Sequence, residues 1–81
     1  MDFVQIGKRI KWTRKRVGIT QKELANKIGR TESSVQKYEN GKVEIPISVL
    51  EDIAKELGVS ADEFLIGFYN EKREIYLKTL G

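Results

Sequence analysis

The sequence predicts an all-α fold: a compact bundle of five short helices with a C-terminal sixth. Three observations carry that prediction. Apolar residues recur at helical spacing through most of the 81 residues. Capping signatures open the segments and glycines close them. No stretch alternates polar and apolar residues as a half-buried strand would.

The first helix opens at Asp2, with Gln5 three residues on in capping-box register. Phe3, Ile6, Ile10, Thr13 and Val17 then form its apolar face, and Gly18 stops it. Lys15 and Arg16 sit in the last turn, where the helix dipole favours cations. Thr20 and Glu23 make a second capping box ahead of Leu24, Ala25 and Ile28, closed by Gly29. Thr31 caps a third helix through Val35 and Tyr38 to Asn40, with Gly41 after it. A loop over Lys42–Pro46 leads to a fourth helix whose face is Ile47, Leu50, Ile53, Ala54 and Leu57, ended by Gly58. Ser60 with Glu63 opens a fifth, through Phe64 and Leu65 to about Gly67, and Ile75, Tyr76 and Leu80 form a partial stripe in the tail.

A chain this short makes one domain with a small core. Residues 1–67 are assigned to it, with 68–81 as an extension for packing or dimerisation. With no Cys and no His, there is no disulfide, no thiolate and no imidazole base or metal ligand. No apolar run approaches a membrane span, and the N-terminus lacks a signal-peptide core, so a cytoplasmic binding module is expected. Catalysis is not expected. The four serines have no histidine partner, Glu51 and Asp52 point to different sides of a helix, and the run at Gly41–Glu44 lacks the residues of a phosphate-binding loop. No cofactor or metal is implied.

Charge is unevenly divided. Met1–Val43 holds eleven basic and four acidic residues, a balance of +7, whereas Glu44–Gly81 holds four basic and eight acidic, a balance of −4. Such a division suggests that the first half faces a polyanion. Within it, residues 21–40 read as two short helices joined at Gly29, where a tight turn needs positive φ. Ala25 falls where those helices cross. Together they describe a helix-turn-helix whose second helix projects its outer face.

Further residues extend the pattern: I-G-K-R-I at Ile6–Ile10, Arg14, G-I-T-Q-K-E-L-A at Gly18–Ala25, Y-E-N-G at Tyr38–Gly41 and L-G-V-S at Leu57–Ser60. In these the sequence resembles the Cro/C1-type (XRE) helix-turn-helix domains, which include the lambdoid phage repressors, over about Ile6 to Ile66. The resemblance implies a lambda repressor-like fold, double-stranded DNA as partner, and a recognition helix over about 32–40 in the major groove. By position, Glu32, Ser33 and Lys37 would read bases, with Ser34 and Gln36 at the margin. Gln21, Asn40 and Lys42 would hold phosphates, and Lys11 and Arg30 could extend that footprint. Arg14 and Glu39 would pair to link the first helix to the recognition helix.

One such helix reads few base pairs, so the resemblance further implies a homodimeric repressor on a palindrome, with Ile66, Phe68, Tyr76 and Leu80 as candidate interface residues. The fold also serves antitoxins and adaptor subunits, and the alternative reading is a protein-interaction module with a partner on the C-terminal extension. Two departures from the family stand out. Thr13 replaces a larger aliphatic residue, and Trp12 replaces a polar one, to rest against Phe68, Tyr69 and Tyr76 of the tail or against a second subunit.

Overall fold

The computed structural model describes residues 2–65. Four helices, α1 (Phe3–Val17), α2 (Gln21–Lys27), α3 (Glu32–Glu39) and α4 (Ile47–Leu57), are followed by a fifth helical segment over 62–65. The described residues contain no strand. The expected sixth helix, the interface candidates Ile66, Phe68, Tyr76 and Leu80, and the tail residues proposed to cover Trp12 lie outside the described residues.

The predicted caps act as local chemistry requires. Asp2 Oδ1 accepts from the backbone N–H groups of Val4 and Gln5. At α2 the box closes reciprocally: Thr20 Oγ1 accepts from Glu23 N–H, and Glu23 Oε1 accepts from Thr20 N–H. Thr31 caps α3 through Ser34 N–H. Each of α1–α4 ends on a glycine in the left-handed region, with two backbone bonds returning to the last turn. α4 alone begins without a side-chain cap, at Pro46.

These helices enclose one core, in which Ile6, Ile10, Leu24, Val35, Leu50, Ile53 and Phe64 are buried. Two apolar residues expected inside are exposed instead. Val17 lies in the last turn of α1, and Ile47 opens α4 at the rim of its buried face. Val49 takes the inner position on α4, and Ile45 buries itself from the preceding loop. Thr13 is buried, occupying its core position with a smaller side chain than an aliphatic would provide. α1 is also tied to the fifth segment, where Arg9 Nη1 donates to the Phe64 carbonyl at 2.9 Å.

Candidate nucleic-acid interface

The second helix of the motif, α3, is held at both of its ends and along one side. Its N-terminus is fixed by Thr31, whose Oγ1 lies 2.9 Å from Ser34 Oγ. Its C-terminus packs backbone to backbone on α1. A methyl group at Gly7 would overlap the carbonyl oxygens of Tyr38 and Glu39, the latter at 2.6 Å. One at Gly41 would lie 2.6 Å from Val4 Cα. Only glycine permits that approach, and at Gly41 the φ of +68° independently demands it.

Along its inner side, α3 is joined to α1 and α2 by charge. Arg14 and Glu39, 7% and 3% exposed, pair in fork geometry, Nε to Oε2 at 2.6 Å and Nη2 to Oε1 at 3.0 Å. The remaining Arg14 nitrogen, Nη1, donates to the Ile19 carbonyl at 2.8 Å. Gln21, first residue of α2, donates its amide to Glu39 Oε1 at 3.0 Å. One buried carboxylate thus orients three elements. A planar guanidinium suits this role because its donors diverge in fixed directions.

With Val35, Tyr38 and Glu39 buried, the opposite face of α3 must point outward. Ser33, Gln36, Lys37 and Asn40 recur at helical spacing there, all exposed, with Glu32 at its rim. Their side chains make no hydrogen bond to another described residue. Ser34 departs from its expected place, since it is half-buried and its hydroxyl turns back to Thr31. Lys42 and Arg30 are exposed at opposite ends of α3. Each is anchored by its backbone N–H, Lys42 to the Lys37 carbonyl at 3.0 Å and Arg30 to the Ala25 carbonyl at 2.9 Å. Lys11, also exposed, lies one turn from Gly7 and from Arg14, on the side of α1 nearer α3.

The family model described as Helix-turn-helix matches residues 10–64, most of the described bundle. The chain belongs to this helix-turn-helix family, of the Cro/C1 type that its motifs resemble. An uncharacterised transcriptional regulator in the ATPase CF(0) region of Rhodospirillum rubrum is 41% identical over 59 residues, 73% of this chain. The chain spans about half the length of that curated relative, the match covering 55% of it. Among solved structures, the restriction-modification controller protein C.AhdI from Aeromonas hydrophila is similar with a TM-score of 0.75 and 27% identity, over 78% of this chain and 96% of that one. The clp gene regulator ClgR from Corynebacterium glutamicum shares the fold, with a TM-score of 0.78 and 24% identity over 82% of this chain and 85% of its own.

Gly7 stands within the I-G-K-R-I motif of α1. Its signal was a glycine inside an amphipathic helix, which marks close approach of another element. The Arg9 bond to the Phe64 carbonyl had no such signal, because a main-chain acceptor can be supplied by any residue.

Proposed function

We propose that this helix-turn-helix protein is a cytoplasmic, nucleoid-associated, sequence-specific binder of double-stranded DNA. It regulates transcription as a repressor, as a homodimer on a palindromic operator, and catalyses no reaction. The supporting observation is the outward stripe of α3, polar and without internal partners, on a helix whose pose is fixed by Gly7 and by the Arg14–Glu39–Gln21 cluster. α3 enters the major groove and presents Ser33, Lys37 and Gln36 to base edges, with Glu32 beside them and Ser34 supporting the helix start. Lys37 favours guanine O6 and N7, and Glu32 accepts from cytosine N4. Asn40, Lys42, Arg30, Lys11 and the Gln21 side chain border this stripe and contact phosphates, which sets register without reading sequence. A single helix specifies too few base pairs, so two copies about 34 Å apart supply the remaining selectivity.

Selection from a random duplex pool near physiological salt tests this directly. The expected outcome is an enriched palindrome whose half-site preference changes with Lys37→Ala and Glu32→Ala. A single enriched half-site would reject the stable dimer and keep the reading of α3. Absence of enrichment would reject sequence-specific binding and leave the protein-interaction module as the better account.

A further inference from the structure

We propose that the outer face of α1, centred on Trp12, is a second interaction surface that docks an acidic segment of a partner protein. Trp12 is the chain's only tryptophan and stands 62% exposed. Its neighbours one turn away along the helix are Lys8, Arg9, Lys15 and Arg16, so every i±3 and i±4 position is a cation. α1 itself carries no acidic residue from Phe3 to Val17. Lys8, Lys15 and Arg16 are exposed and make no ion pair with a described residue. An exposed indole with an arginine against it has the composition of an interface core, and three of its four cationic neighbours pair with no described carboxylate.

DNA held by α3 does not account for this face. Gly7 and Arg14, two α1 residues that touch α3, lie five and two positions from Trp12. Those separations place both on the far side of the helix, roughly 140–160° around it. Trp12 therefore points away from the base-reading stripe. The local geometry also favours a carboxylate over a stacked base. The Arg16 guanidinium sits over the indole, 4.7 Å from the ring centroid. It occupies one π-face, and its N–H groups bond to no described residue, so a carboxylate can take two of them. Lys8 and Lys15 flank the ring for further carboxylates, and the uncovered indole surface accepts an apolar anchor from the same segment.

The uniqueness of Trp12 makes the test direct. The intact chain is titrated with a fluorescent synthetic peptide in which glutamates surround a single phenylalanine, and anisotropy is followed together with Trp12 emission. Saturable binding with a shift in Trp12 emission is expected. It should weaken about tenfold on Trp12→Ala, the loss typical of an aromatic anchor, and comparably on Arg16→Ala or when glutamine replaces every glutamate of the peptide. Trp12→Ala should leave duplex DNA binding intact, so this result stands or falls separately from the reading of α3. Indifference to Trp12→Ala or to peptide charge would overturn the proposal. So would tighter binding of single-stranded oligothymidine, which would make the face a nucleic-acid site. Shielding of Trp12 from acrylamide in the isolated chain would also overturn it, because the chain or a second copy would already cover the surface.

Discussion

Glu39 concentrates the energetic risk of this small domain, because its carboxylate is almost wholly removed from water and depends on two donor side chains. Removing Arg14 leaves that charge with the Gln21 amide alone. Breaking a buried pair from one side typically costs about 3–5 kcal/mol, and in a chain of this size each kcal/mol lowers Tm by roughly 4–8 °C. Arg14→Ala should therefore lower Tm by at least about 10 °C in thermal unfolding followed by circular dichroism. Replacing the pair by apolar residues, Arg14→Met with Glu39→Leu, should recover most of that stability because no charge is left buried. It should not recover DNA affinity, since Gln21 loses its acceptor and α3 loses its tether to α1. If the double variant binds duplex DNA as tightly as the wild type, the pair stabilises the fold and does not orient the reading helix. The participants were recognisable from the Arg14 and Y-E-N-G motifs, but the bond from Gln21 was not. Its place at the start of α2 suggests only a phosphate contact, and the packing of α2 on α3 is what brings its amide to Glu39.

At the scale of elements, the sequence was most legible where the chemistry is local. Thr20 with Glu23, Thr31, and the glycines at 18, 29, 41 and 58 mark helix ends through bonds spanning only a few residues. It was least legible where the deciding contact is distant in the chain. Val17 and Ile47 match a helical stripe, but each lies at the end of its helix and remains exposed, while Ile45 is buried from a loop without periodicity. Gly7 lowers the intrinsic helix propensity of α1, and its reason appears only when the carbonyls of Tyr38 and Glu39 are in place. The cap of α3 links this local level to function. An eight-residue helix is marginal alone, so the Thr31 bond helps to hold its first turn, where Glu32 and Ser33 sit. Thr31→Ala should cost about 1 kcal/mol. Ser60→Ala, which removes a longer cap bond outside the motif, should cost no more, and serves as the control. In matched urea unfolding and DNA titrations, Thr31→Ala should reduce DNA affinity well beyond Ser60→Ala. Equal affinities would mean that the first turn of α3 does not read DNA.

Across the whole molecule, the +7 and −4 halves act over different distances from the contacts discussed so far. The basic half does not form a single patch. Lys11, Arg30 and Lys42 border α3, whereas Arg16 stacks on Trp12 on the far side of α1. Net charge alone treats these groups alike, but salt dependence separates them. Each phosphate contact releases condensed counterions, so log K should fall linearly with log salt, with a slope of about −0.9 per contact on duplex DNA. Lys42→Gln and Arg30→Gln should each flatten that slope by about 0.9, weakening binding to all sequences by similar factors. Arg16→Gln removes the same charge from the opposite surface of α1, roughly 160–180° from Gly7 and Arg14, and should leave the slope nearly unchanged. Fluorescence anisotropy of one labelled duplex across a salt series measures all three. A slope that responded equally to all three would mean that the duplex is held by diffuse attraction to the basic half, with no defined face. That result would remove the basis for assigning Lys42 and Arg30 to phosphates.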